Sequence, residues 1–311
     1  MIEQGQGIYT QRMLSLPLLQ DIHDLSTKTR LPSILLAKYN HNNSKYYHHI
    51  LMRKKSGGLR PIDSPNAELK AIQKWILRNI LSCLKPSPYA KGFILGKSIH
   101  DNAKPHYNKQ YILSLDLNNF FGTVKASHVF SIFHSIGYSK KISYLLTSIC
   151  TLDGVLPQGA PTSPYLSNLV CLRLDHRIGK YCDNKALTYT RYADDVCISG
   201  NKLSVIKKAQ VTIKNIINNE GYTVNKRKEL LSGPKSSRQV TGLVVTPDIG
   251  IGREKYNHYR KTIFMEFKKN PAESEFMISG ILSFVKSVDV KRHKKLYSYY
   301  KSLIIKNPSM C

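Results

Sequence analysis

Apolar positions along the chain change period several times, and each change predicts an element. Leu18, Ile22 and Leu25 recur at helical spacing between Pro17 and Arg30, and a second short helix is expected from Pro32 to Tyr39. A tyrosine-rich, basic, strand-like segment follows from Tyr46 to Arg53 and breaks at Lys54-Lys55-Ser56-Gly57-Gly58, a turn by composition. Ser64 before Pro65 has the form of an N-cap with proline at the first helical position. From there Leu69, Ile72, Ile76, Ile80 and Leu84 continue a mostly buried helix as far as Pro86.

Residues 111–117 form an apolar run bounded by polar residues, short enough for a strand buried on both faces. Helices are expected at 125–136, 139–150 and 162–179, then a strand, tight turn and strand over 187–199 with Ala193-Asp194-Asp195 at the tip. A helix at 203–219 and strands near 222–225 and 239–246 complete this stretch. The order predicts an α+β domain, with helices packed on a small antiparallel sheet. After Gly252 no long β-rich run remains, and Phe276, Ile278, Ile281, Leu282 and Val285 fall at helical spacing. Residues 250–311 carry 13 Lys+Arg against 5 Asp+Glu, which predicts a separate basic helical unit.

A chain of 311 residues has room for a sizeable core and two domain-like units. With 41% hydrophobic and 22% charged residues it is a globular sequence, not a disordered one. Charge changes the picture more: 47 Lys+Arg against 20 Asp+Glu gives a formal +27, spread along the whole length. Such a field draws polyanions, nucleic acid above all, with an anionic membrane surface as the rival. No amphipathic basic anchor supports the membrane. The apolar stretch Met13 to Leu19 is short, contains Pro17 and runs into Asp21 and Asp24, so it fails as a signal peptide or membrane span. Six cysteines without a C-x-x-C pair or zinc-ligand spacing read as reduced thiols, and a cytoplasmic protein is expected.

The candidate chemistry lies in three acids. Asp116 ends one apolar strand, and Asp194-Asp195 cap a hairpin some eighty residues later. Carboxylates crowd together only when cations neutralise them, and oxygen ligands without His or Cys nearby favour Mg²⁺, with Mn²⁺ as an alternative. Two such ions could deprotonate a sugar hydroxyl and stabilise a pyrophosphate leaving group, which is nucleotidyl transfer. Taken singly, each aspartate could equally be a turn residue, so context has to decide.

That context is a set of blocks. Tyr192-Ala193-Asp194-Asp195, with β-formers on both sides, resembles the Y-x-D-D hairpin of reverse transcriptases. The other blocks of that family follow in its order. Gly57-Gly58-Leu59-Arg60-Pro61-Ile62 with Leu69, Lys70, Ile72 and Gln73 is similar to the fingers motif, and Asp116 with Phe120 and Phe121 to the first catalytic block. Leu156-Pro157-Gln158-Gly159-Ala160-Pro161-Thr162-Ser163-Pro164, leading to Asn168, resembles the turn and helix that support template and nucleotide. Gly221, Asn225 and Lys228 match the next block and Val240-Thr241-Gly242-Leu243 the one before the thumb, so the resemblance covers about residues 54–245. Asn102-Ala103-Lys104-Pro105-His106 and Val240-Thr241-Gly242 resemble the N-A-x-x-H and V-T-G segments of the retron group.

The resemblance implies a right-hand polymerase fold without a ribonuclease H domain: N-terminal helices and fingers over 1–110, palm over 111–248, basic helical thumb over 249–311. It implies RNA-directed DNA synthesis with two metal ions on Asp116, Asp194, Asp195 and the Leu117 backbone carbonyl. Phe121 falls where the family places an aromatic gate against ribose; Gln158 and Gly159 would meet the nucleotide near its sugar. Arg60, with Lys54 or Lys55, would neutralise the triphosphate, and Lys228 is a candidate general acid for the departing pyrophosphate. RNA contacts are expected from Asn102 and His106 and from thumb residues Arg253, Lys255, Arg260, Lys261, Lys291, Arg292, Lys294 and Lys295, with tyrosines interspersed for stacking. Implied partners are a structured noncoding RNA that serves as template and primer, its cDNA, dNTPs, a toxic effector protein from the same operon, and host ribonuclease H acting on the hybrid. The implied product is a branched RNA–DNA begun at a guanosine 2′-hydroxyl, in an anti-phage role. A non-catalytic RNA-binding scaffold and a diversity-generating reverse transcriptase are the alternatives.

Overall fold

The computed structural model describes residues 4–41, 43–53, 57–269 and 271–306; the turn lysines Lys54 and Lys55 lie outside them. By packing, the chain divides into two compact units, one of residues 1–94, 117–180 and 213–225 and one of residues 95–116, 181–212 and 226–311.

The first unit is mostly helical. Its hairpin pairs β1 (Tyr47–Arg53) with β2 (Leu59–Pro65) over seven residue pairs. Gly57 and Gly58, at φ of 83° and 80°, supply the positive dihedrals that this turn requires. The predicted N-cap at Ser64 is corrected: Ser64 and Pro65 stay extended to pair with His48 and Tyr47. The helix Ala67–Asn79 starts instead on Asn66, whose side chain accepts from the Leu69 N–H at 2.9 Å. It ends before Pro86, in a 3₁₀ turn at Leu81–Cys83. Leu69, Ile72 and Ile76 are fully buried on it, as the spacing predicts. Gln73 shares that buried face and donates to the Tyr47 hydroxyl and the Ile149 carbonyl, both at 2.8 Å. The helices Ala126–Ser135 and Lys140–Cys150 agree with expectation. The single helix expected at 162–179 is two, Ser163–Val170 and Leu172–Asp183. They part at Cys171, whose ψ of 4° leaves the helical range.

The second unit holds a four-stranded antiparallel sheet in the order β4-β5-β3-β6: β3 Tyr111–Asp116, β4 Thr188–Tyr192, β5 Asp195–Gly200 and β6 Leu230–Ser232. Strand β6 was not legible in the sequence. The strand expected near 222–225 is reduced to one bridge, Leu117 with Val224, inside the first unit. The segment 239–246 is a tight hairpin of β7 (Gln239–Val240) and β8 (Leu243–Val244), separate from the main sheet. Thr241 and Gly242 form its turn at φ of 45° and 75°, which suits a two-residue connection. Helices Gly252–Lys269, Pro271–Val288 and Val290–Lys306 are the basic helices expected after Gly252, but they share one compact unit with the sheet instead of forming a separate one. Ile263, Phe267, Ile278, Leu282, Val285 and Leu296 join Ile112 and Cys197 of the sheet in one buried cluster. No helix among the described residues is long and apolar enough to cross a membrane.

Candidate active site

Strand β3 places Asp116 at its last position, opposite Asp195 in the antiparallel register with β5. Tyr192 pairs with the same Asp195 across the β4–β5 hairpin, which leaves Ala193 and Asp194 as its two-residue turn. Pairing across the sheet thus brings three acids, distant in sequence, to one end of it. Ala193 sits at φ 57°, a left-handed conformation that costs a residue with a side chain about 1 kcal/mol or more. Arg191 offsets that strain: fully buried, it donates from Nη1 to the Ala193 carbonyl at 3.0 Å. Its role was not foreseen; the available signal was an arginine inside an otherwise β-forming run.

The electrostatics follow from the crowding. Asp116 is 7% exposed, and the Lys228 ammonium donates to its Oδ2 at 2.7 Å, an ion pair that holds the lysine pKa above its usual value. Solvent reaches Asp195, yet protein surrounds enough of it that desolvation pushes its pKa up to about 6. Repulsion from Asp194 and then Asp116 adds to the shift, and Lys228 opposes it. Among the described residues no three His, Cys, Asp or Glu side chains are already closed into a metal cage. The three carboxylates instead share one sheet end within electrostatic reach of one another, a hard, all-oxygen donor set that fits a divalent cation such as Mg²⁺.

The predicted nucleotide contacts other than Lys228 belong to the first unit. Arg60 is exposed on β2, opposite Met52. Phe120 is buried against Tyr222, whereas Phe121 is only half-buried and lies 6.3 Å, centroid to centroid, from the ring of Phe93. Gln158 is half-buried, and its carbonyl accepts from the Asp63 N–H at 2.9 Å. Gly159, at φ 148°, passes so near β2 that a Cβ there would lie 2.5 Å from the Asp63 carbonyl oxygen. A side chain is therefore barred by the hairpin itself. Leu117 is buried, and its backbone bridges Val224.

Two RNA contacts expected from the sequence are corrected. His106 is completely buried, its ring nitrogens 2.7 Å from Ser199 Oγ and 2.8 Å from Thr190 Oγ1. It therefore ties β4 to β5 behind the acidic hairpin, and burial pushes its pKa down to about 3. Asn102 is 1% exposed and donates to Thr241 Oγ1 at 3.3 Å, which joins the short helix Ile99–Ala103 to the turn between β7 and β8. Neither side chain presents a surface to RNA.

The basic helices divide likewise. Lys255 donates to the Gly242 carbonyl at 2.6 Å, Arg292 pairs with buried Asp289 at 2.8 Å, and Lys291 pairs with Asp248 at 2.8 Å. Arg253, Lys261, Lys294 and Lys295 are exposed. Arg260 is exposed as well and lies over the Tyr299 ring at 4.5 Å, beside a groove of about 330 Å³ lined also by Asn257, Lys261 and Phe264.

Paired strand ends that present these acids together are an arrangement compatible with metal-assisted phosphoryl chemistry. The family model for reverse transcriptase (RNA-dependent DNA polymerase) matches residues 52–245, and the chain belongs to that family: it is an RNA-directed DNA polymerase. Its relatives are more specific. It is 43% identical to the Retron Ec86 reverse transcriptase of Escherichia coli, over 94% of this chain and 92% of that protein. Identity to the Retron Mx65 reverse transcriptase of Myxococcus xanthus is 32%, over 78% of this chain and 61% of the relative. Identity to the Retron Ec83 reverse transcriptase of Escherichia coli is 29%, over 80% and 85%. The chain is a reverse transcriptase of the retron type.

Proposed function

We propose that the three carboxylates Asp116, Asp194 and Asp195, with the Leu117 backbone carbonyl, hold two Mg²⁺ ions for DNA synthesis on an RNA template. The observation that carries this is the β3–β5 register, with Asp116 opposite Asp195. When bound, the ions supply Lewis acidity to the primer hydroxyl and to the triphosphate. The protein's own groups do the rest. Arg60 pairs with triphosphate charge, and Gln158 and Gly159 line the sugar. Phe121, half-exposed where Phe120 is buried, excludes a ribose 2′-hydroxyl. Lys228, with its pKa held up, retains a proton to deliver to the departing pyrophosphate.

In this reading residues 1–110 supply N-terminal helices and fingers, 111–248 the palm and 249–311 the thumb. The exposed cations Arg253, Arg260, Lys261, Lys294 and Lys295 track the phosphates of a structured noncoding RNA, and their neighbouring tyrosines stack on its loop bases. Synthesis starts from a guanosine 2′-hydroxyl of that RNA and yields branched multicopy single-stranded DNA in the cytoplasm, with host ribonuclease H clearing the template. The hybrid restrains an effector protein from the same operon as an anti-phage device. Replacing both Asp194 and Asp195 by Asn is expected to abolish cDNA while RNA affinity stays within about twofold, since phosphate contacts elsewhere dominate binding. Normal cDNA from that variant would remove the metal assignment.

A further inference from the structure

The first unit encloses a cavity of about 460 Å³ that the polymerase chemistry does not use, within the roughly 300–1,000 Å³ usual for small-ligand sites. Its walls come from the helix Ser33–His41, from Asn43 and Ser44, from the helix Lys140–Cys150 and from the turn that follows. Tyr39, Thr147 and Thr151 are buried in it, whereas Tyr144, 56% exposed, and Asp153 stand where solvent enters.

Two oxygens in this wall, the Tyr39 hydroxyl and the Asn40 amide oxygen, are buried and find no hydrogen-bond partner among the described residues. Tyr39 is only 1% exposed, and burial pushes its pKa up to about 12, so it keeps its proton. Folded proteins rarely leave two neighbouring polar atoms unsatisfied unless something completes them. Three of the wall's other donors are already engaged. The Asn43 amide donates to the Ser148 and Thr151 carbonyls, the Thr147 hydroxyl to the Ser143 carbonyl at 2.7 Å, and the Thr151 hydroxyl to the Thr147 carbonyl at 2.9 Å. What remains on offer is weighted toward acceptors: Asn40 Oδ1, the lone pairs of the Tyr39 hydroxyl and the Asp153 carboxylate, beside the O–H proton of Tyr39 itself. Among the described residues no lysine or arginine lines the cavity, so a phosphate would find no cationic partner from them inside.

The complementary ligand is a flat or compact group rich in N–H. A basic side chain of another protein would meet the hydrogen-bonding demand, but a net charge of +27 repels it and attracts RNA. Lys38, Lys45 and Lys125 are exposed and adjoin wall residues in sequence, available to the flanking phosphates, and the Tyr144 ring offers a stacking face. We propose that this cavity receives one unpaired base of an RNA strand and reads its amino group, preferring cytosine, adenine or guanine to uracil. The proposal rests on RNA being the polymer this protein binds.

Anisotropy with labelled oligo(C) and oligo(U) RNAs of equal length, on the full-length protein, tests it. Both carry the same backbone charge, but uracil presents a carbonyl where cytosine presents the amino group. Wild type should bind oligo(C) about tenfold tighter, the worth of one good hydrogen-bonded edge. Tyr39→Phe should bring the two affinities to within about twofold without lowering the melting temperature, because it deletes a hydroxyl with no partner. Tyr144→Ala should weaken both by about tenfold through lost stacking. Asp153→Ala, at the exposed mouth where folding is not at stake, should also reduce the preference. Equal affinities in wild type, or a preference that survives all three substitutions, would overturn the proposal while leaving RNA binding intact. So would competition at the cavity by an arginine-rich peptide but not by free cytidine. If neither RNA binds, the broader assignment of an RNA partner fails as well.

Discussion

Replacing His106 gives the sharpest test of how the acidic hairpin is held. Thr190 lies on β4 and Ser199 on β5, and both hydroxyls are buried with the imidazole between them. His106→Ala leaves two buried hydroxyls unsatisfied at about 1–3 kcal/mol each and opens a small void, so a loss of about 3–5 kcal/mol is expected near neutral pH. His106→Gln, which can donate and accept between the same oxygens, should lose about 1 kcal/mol. The histidine also links stability to acid. Its pKa falls from 6.5 in the unfolded chain to about 3 in the fold, so its contribution is complete above 6.5 and is lost as pH falls toward 3. In that window the unfolded chain takes up a proton that the native state refuses, at about 1.4 kcal/mol per pH unit. Urea unfolding from pH 7.5 to 4.5 should therefore show wild type losing stability faster than either variant, with the gap to His106→Ala closing by about 3 kcal/mol. RNA affinity of the folded variants should match wild type. Parallel pH curves would refute the buried neutral histidine, and a selective loss of RNA binding would restore it as a contact.

Three further expectations concern the site and its approaches. Because Asp195 titrates near 6, its proton competes with a cation, so Mn²⁺ affinity measured by calorimetry should fall by up to about tenfold per pH unit below 6. Asp195→Asn should weaken binding and flatten that dependence, and an unchanged slope would count against the shift. Gly159→Ala puts a methyl against the Asp63 carbonyl; it should cost about 1–3 kcal/mol in unfolding experiments and slow primer extension by displacing Gln158, whereas wild-type values for both would show that the turn yields freely. Reversing charge at Lys294 and Lys295 should weaken RNA binding and make the slope of log affinity against log salt shallower by about 1–2; an identical slope would place the RNA elsewhere.

Much of this was legible along the chain because it depends on neighbours in sequence. A short apolar run is a strand whichever strand pairs with it, and Leu69, Ile72 and Ile76 lie on one helical face because of a 3.6-residue period. The acidic hairpin could be read from Tyr192 to Asp195 for the same reason. Errors arose where two local solutions were close in energy: Ser64-Pro65 and Asn66 are both competent helix starts, and pairing with β1 decided between them. Strand β6 has only three residues and gains its identity from β3 alone.

Tertiary structure decided what local pattern cannot encode. His106 and Asn102 are polar residues in a basic protein, and nothing beside them says whether they face solvent or a hydroxyl 84 to 139 residues away. The commitments of Lys255 and Arg292 to intramolecular partners, and the leftover acceptors around Tyr39, likewise depend on chain segments that meet only on folding. Sequence determined which chemical groups the protein owns and in what local shape. Long-range packing determined which of them are consumed in holding the fold and which remain available to a ligand, because desolvation and hydrogen-bond satisfaction are settled by the final neighbours.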